Sequence, residues 1–141
     1  MTSERTAPSN PQIAYALFRI ALGLDMFLHG VMRIPILATW VDTTTKLFGA
    51  SFLPDSMVRG FLYVLPFPEA VIGLLLMLGW FTRESLIAGS LVIIVLIFGT
   101  GTRQDWTTIG AQMLYALYYY LMLARLDDNW LAVDASRTRS A

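Results

Sequence analysis

Apolar and polar positions divide the chain into four long apolar segments, one amphipathic stretch and two polar tails. The apolar segments cover approximately 13–34, 60–81, 85–101 and 106–126. Each approaches or meets the roughly 17–25 residues that a helix needs to cross a bilayer. A backbone in lipid must satisfy its own hydrogen bonds, which favours helices over an alternating-pattern barrel. The links at 82–84 and 102–105 are short enough to force antiparallel neighbours. The predicted fold class is therefore all-α: an integral membrane four-helix up-down bundle with both termini on one side.

The stretch 35–57 has its own period. Leu37, Trp40, Val41, Thr44, Leu47 and Phe48 recur at helical spacing, with Asp42, Thr43, Thr45 and Lys46 mostly opposite. Trp40 and Lys46 suit a headgroup boundary. The expectation is an interfacial amphipathic helix between helices one and two, against the alternative of an irregular loop. The membrane domain is expected over 13–130, between a flexible polar tail at 1–12 and a polar C-terminal tail at 131–141. No basic start followed by a small-residue cleavage site precedes the first apolar segment, which is expected to act as an uncleaved anchor.

Composition agrees with the pattern. Hydrophobic residues make up 56% of the 141 and charged residues 14%, whereas a soluble domain has about 45–50% and about 25%. A mean hydropathy of +0.59 points the same way. Ten basic residues balance ten acidic ones, so no net field draws in nucleic acid. The absence of cysteine excludes disulfides, thiol redox chemistry, iron–sulfur ligation and Cys-based zinc sites. A single histidine excludes bis-His haem ligation within one chain. No metal site and no covalently bound cofactor are expected. Arg5, Arg83, Arg125, Arg137 and Arg139 fall on the side of the termini, against Arg33, Lys46, Arg59 and Arg103 opposite. That margin tilts towards cytoplasmic termini.

The scarce charge is concentrated. The first helix carries Arg19, Asp25, His29 and Arg33, each costly inside a membrane. Asp25, His29 and Arg33 form an i, i+4, i+8 stripe, with Arg19 within roughly 120° of it. Gly23 and Gly30 border this face and permit close backbone approach. Two readings stand. In one, Asp25 pairs with His29 or Arg33 and Arg19 snorkels to the interface. In the other, the stripe faces a polar pocket where His29 moves a proton and Asp25 fixes its tautomer.

The second helix brings Pro66, Pro68 and Glu69. The prolines remove two backbone donors, so the helix is expected to break near Pro66 and restart at Pro68. Glu69 would then sit inside the bundle beside a helix N-terminus, as a cap or as part of the pocket, with an Arg or the His of helix one as its simplest partner. The third segment carries no residue that suggests chemistry. In the fourth, Thr108, Gln112, Tyr115 and Tyr119 share one stripe, readable as packing or as pocket wall. Asp105 fits a helix N-cap.

The run Phe18-Arg19-Ile20-Ala21-Leu22-Gly23 with Phe27-Leu28-His29-Gly30 resembles the first-helix signature of the DoxX/DoxD family of small bacterial and archaeal membrane proteins. Pro68-Glu69-Ala70-Val71-Ile72-Gly73-Leu74 and Leu78-Gly79-Trp80-Phe81-Thr82-Arg83 are similar to its second-helix pattern, and the likeness spans roughly 13–126. The resemblance implies a four-helix membrane fold in a prokaryotic cytoplasmic membrane. It also implies association with quinone-linked oxidoreductases, such as thiosulfate:quinone oxidoreductase or membrane oxidative-stress complexes. Arg19, His29, Glu69 and Arg83 are the family-type residues. Arg33 stands where most relatives carry Lys, and Asp25 departs from a usually apolar or small position. Thiol-active distant relatives use cysteine pairs, which this chain lacks.

The expected function is a membrane subunit that holds a quinone-type or lipidic molecule in a polar pocket. His29 and Asp25 are the candidate proton-handling (catalytic) pair. Arg19, Glu69, Gln112, Tyr115 and Tyr119 are candidate ligand-binding residues, with Arg33 and Arg83 as charge partners. The chain would be at most a subunit of an oxidoreductase, since it has no prosthetic-group ligands of its own. The expected partners are the lipid bilayer and other membrane or redox subunits, or further copies of the chain. A non-catalytic assembly subunit is the competing reading. A transporter is weaker, because no internal repeat or paired broken segments occur.

Overall fold

The computed structural model describes residues 7–138. It is all-helical, with no strand among the described residues. The helices are α1 (Asn10–Val31), α2 (Leu37–Lys46), α3 (Asp55–Val64), α4 (Pro66–Leu78), α5 (Thr82–Thr102), α6 (Trp106–Ala124) and α7 (Val133–Thr138). Short 3₁₀ turns at Ile34–Ile36 and Leu126–Asp128 precede α2 and follow α6. Arg5 and Arg139, used in the orientation argument, lie outside the described residues, as do residues 1–6 and 139–141 of the expected tails.

Among the described residues, three helical runs are long and apolar enough to cross a membrane: Asn10–Lys46, Asp55–Leu78 and Thr82–Thr102. The helix at Trp106–Ala124 falls short of that hydropathy, because Gln112, two threonines and four tyrosines dilute its apolar residues.

Element boundaries shift from the sequence expectation for local reasons. Residues 10–12 belong to α1 rather than to a tail, because Gln12 Oε1 accepts from the Ser9 N–H at 2.9 Å and Pro11 suits the first turn. The expected C-terminal tail contains α7. The helix restarts at Pro66, not Pro68, and the chain never leaves helical geometry there. Leu65 has φ −50° and ψ −44°, its N–H donates to Phe61 O at 2.9 Å, and Glu69 N–H donates to Leu65 O at 3.3 Å. The prolines still deprive the Leu62 and Val64 carbonyls of their i+4 donors. The stretch 35–57 holds α2 and the start of α3, which share a buried cluster of Val41, Val58, Leu62 and Leu65. Thr45, expected on the polar face of α2, is buried.

The most extensive packing joins α1 to α4, followed by α5 to α6 and α4 to α5. Glycines set the first contact. A Cβ on Gly23 would meet the backbone of Gly73 and Met77, one on Gly30 that of Pro66 and Ala70, and one on Gly73 that of Gly23 and Phe27. The two helices therefore touch backbone to backbone, which small residues alone permit. Between α5 and α6, Gly89 leaves room for the Tyr119 ring. The start of α1 lies beside the end of α6, where the Tyr15 hydroxyl donates to Met122 O at 3.2 Å.

Candidate functional site

Helix α1 presents two different faces. Tyr15, Ala16, Arg19, Leu22, Gly23, Met26 and Gly30 are buried. Asp25 and His29 lie at the edge of that stripe and border a cavity of about 560 Å³. Polar groups from three helices and the segment after α1 meet there: Asp25, His29, Arg33, Glu69, Gln112 and Tyr115. Trp40 and Phe48 from the α2 region and Phe61 from α3 supply aromatic wall, and Ile93 and Leu96 of α5 supply aliphatic wall.

The strongest link is an ion pair. Glu69, 3% exposed, accepts from Arg33 Nη1 at 2.5 Å. Glu69 lies in the first turn of α4, and its burial makes a lone carboxylate costly and a paired one favourable. The Arg33 guanidinium also stacks over the Trp40 ring at 4.6 Å, so one side chain ties the end of α1 to α2 and α4.

His29 sits one turn after Asp25. Its Nδ1 lies 2.9 Å from the Asp25 carbonyl oxygen and 3.4 Å from the carboxylate Oδ2. The backbone carbonyl, more than the Asp25 side chain, is thus what orients the ring. Tyr115 approaches the same carboxylate from α6. One turn away, Gln112 Nε2 donates to Thr100 Oγ1 at 2.9 Å, while its Oε1 is buried without a hydrogen-bond partner.

At its outer end, beside the last turn of α5, the cavity is lined by the turn between α5 and α6. Arg103 lines it and stacks on Phe48 at 5.5 Å. Its Nη2 donates to Asp105 Oδ2 at 2.7 Å. Asp105 in turn caps α6, accepting from the Thr108 N–H at 3.0 Å and the Thr108 hydroxyl at 2.6 Å. These bonds, the hydroxyl first, hold the Asp105 carboxyl below the usual carboxylate range, and the Arg103 charge adds to them.

Three expected site residues lie elsewhere. Arg19 and Asp25 are six residues apart, about 120° around the helix, and Arg19 takes the α4 side. It is 2% exposed. Its Nη1 donates to Leu76 O at 2.8 Å and Met77 O at 3.4 Å, and its Nη2 to Leu131 O at 2.5 Å. It therefore binds the negative end of α4 and the C-terminal segment, not the cavity, and does not snorkel. Tyr119 is 1% exposed in the core against Gly89, with its hydroxyl unpaired. Arg83 lies on the surface at the opposite end, 3.8 Å from Glu84.

Thr100, Arg103 and Trp40 are site residues that the pattern placed elsewhere. Arg103 and Thr100 bracket the end of α5, and an Arg followed two residues later by a capping Asp was their sequence signal. Among the described residues no group of three or more His, Cys, Asp or Glu side chains could hold a metal ion.

Comparison with known proteins adds one match. No curated protein and no solved structure matches the chain. Residues 14–102 match the DoxX family model, from the second turn of α1 to the end of α5, so that Asp25, His29, Arg33, Glu69 and Thr100 fall inside the match and Gln112 and Tyr115 beyond it. Covering more than half of the chain, and with apolar helices that can cross a bilayer, this match places the protein in the DoxX family of membrane proteins.

Proposed function

We propose that the protein is a membrane subunit that works beside a quinone-linked oxidoreductase and holds a quinone-type or lipidic molecule in the cavity between α1, α4, α5 and α6. The observation that carries this reading is the cavity itself. Its volume of about 560 Å³ lies within the roughly 300–1,000 Å³ of small-molecule sites, and mostly apolar walls with a few convergent polar groups are their usual lining. The buried, unpaired Oε1 of Gln112 is a polar atom that a bound head group would satisfy. In the same proposal α1, the α3–α4 run, α5 and α6 cross a prokaryotic cytoplasmic membrane as an up-down four-helix bundle, with α2 at the interface and the termini in the cytoplasm. A bound quinone would supply the redox chemistry. The chain would supply orientation, exclusion of water and a proton site at His29.

Purification in mild detergent followed by lipid extraction tests the reading. A retained quinone-type molecule, displaced by quinone analogues, supports it; no retained molecule and no analogue binding overturns it. A second reading, a non-catalytic assembly subunit, is favoured by the Arg33–Glu69 pair, which is satisfied without any ligand. That reading expects a stoichiometric redox partner whose activity survives both His29→Ala and Glu69→Gln.

A further inference from the structure

The inner part of the cavity is unbalanced in its hydrogen bonding. His29 Nδ1 lies 2.9 Å from the Asp25 carbonyl oxygen. A carbonyl oxygen only accepts, so that contact puts a ring proton on Nδ1, and Nε2 is an acceptor whenever the imidazole carries that one proton alone. Gln112 spends an Nε2 proton on Thr100, and its Oε1 has no partner. The Tyr115 hydroxyl is turned to the Asp25 carboxylate. A carboxylate offers about four lone-pair sites, so one phenol does not saturate it. One Gln112 amide proton apart, the inner donors are thus engaged, and three acceptors remain there: the Asp25 carboxylate, His29 Nε2 and Gln112 Oε1.

Donors remain at the outer end, on Arg33 and on Arg103, whose Nε is buried without a partner. They lie past the end of α1 and at the end of α5, whereas Asp25 and Tyr115 lie deeper along their helices; Gln112, bonded to Thr100 in the last turn of α5, stands between the two. These guanidinium donors do not tell a hydroxyl from a carbonyl, because the oxygen of either accepts. The inner acceptors do. A hydroxyl can donate to them, while a carbonyl oxygen would leave them unpaired and face the Asp25 charge with its own negative end.

We infer that the cavity selects the reduced, dihydroxy form of its ligand over the oxidised dicarbonyl form. The inference rests on the reading that a quinone-type head group occupies the cavity, and it adds the redox state that the site favours. One hydroxyl donates at Asp25, His29 or Gln112; the other end of the head group accepts from the arginines. The proposal concerns binding alone and needs no electron transfer within this chain.

The test is anaerobic equilibrium binding to the full-length protein in detergent, using a short-chain benzohydroquinone and the matching benzoquinone as probes. The hydroquinone is expected to bind at least about tenfold more tightly. A tenfold ratio raises the two-electron midpoint potential of the bound couple by about 30 mV, which a redox titration reads independently. In Asp25→Asn the amide offers a donor as well as an acceptor, so the ratio should fall towards one while the benzoquinone still binds. Equal affinities in the unmodified protein, or a tighter benzoquinone, overturn the inference and leave the quinone site standing. A preference that persists unchanged in a folded Asp25→Asn variant overturns the assignment to this acceptor set. Binding of neither probe overturns the quinone reading itself. The unmodified protein decides the matter even if the variant fails to fold.

Discussion

Arg33 and Glu69 face each other across the contact between α1 and α4, with Nη1 2.5 Å from Oε2 and the carboxylate almost wholly buried. Removing one partner of such a pair strands the other charge, which costs about 3–5 kcal/mol in buried cases. Arg33→Ala should therefore destabilise the protein strongly. Adding Glu69→Gln to it should restore part of that loss. A double-mutant cycle on thermal or denaturant unfolding in detergent checks this, and additive single effects would show that the pair contributes nothing as a pair.

Backbone contact between α1 and α4 gives a sharper contrast. A Cβ at Gly30 or Gly73 would collide with backbone atoms, which cannot rotate away, whereas one at Gly60 or Gly110 meets nothing within 4 Å. Gly30→Ala and Gly73→Ala should each cost about 1–3 kcal/mol as the helices are forced apart. Gly60→Ala and Gly110→Ala should be neutral or stabilising by up to about 1 kcal/mol through helix propensity. Melting temperatures of the four variants in one detergent check the ordering.

These two relationships also mark what the sequence makes legible. Glu69 needs a cation because a lone carboxylate is intolerable within an apolar helix, and the candidates were the basic side chains of the first helix; Arg33 is the one in reach. Gly23 and Gly30 announce close packing because two small residues seven apart share a helix face. Arg19 was harder. Its partners are backbone carbonyls of Leu76, Met77 and Leu131, and a carbonyl carries no residue signature. Tyr115 and Tyr119 are one helical turn apart on α6, and only the space left by Gly89 on a different helix draws Tyr119 into the core. Arg103 was legible as the neighbour of a capping aspartate, but not as cavity wall, because the fold of the α2 segment brings Phe48 over it.

Arg19 leads to a third prediction. Its guanidinium joins the last turn of α4 to the C-terminal segment, which Asp134 fastens again by accepting from the Phe81 and Thr82 N–H groups at 3.0 and 2.8 Å. Lysine has a single ammonium in place of the planar fork and cannot reach the same carbonyls together. Arg19→Lys should expose the segment following α6 to limited proteolysis several times faster than in the unmodified protein. Analogue binding in the cavity should stay unchanged, because Arg19 does not line it. Loss of binding with an intact proteolysis pattern would return Arg19 to the ligand site.

The α5–α6 turn gives a prediction in pH. The Asp105 carboxyl is held below its ordinary range by the Thr108 hydroxyl, then by the Thr108 N–H and the Arg103 charge. A carboxyl lowered in the folded state stabilises that state above its unfolded value, near pH 4, and loses the contribution as pH falls through the lower folded value. Stability should therefore be flat in this contribution between about pH 5 and 8 and decline only below about pH 4. Asparagine retains a capping oxygen but carries no charge. Asp105→Asn should keep α6 intact, weaken the hold on Arg103 and flatten the acid limb attributable to this turn. Unfolding midpoints of the two proteins from pH 7 down to pH 3 make the comparison; acid limbs that superimpose would show that Asp105 titrates without consequence for the fold.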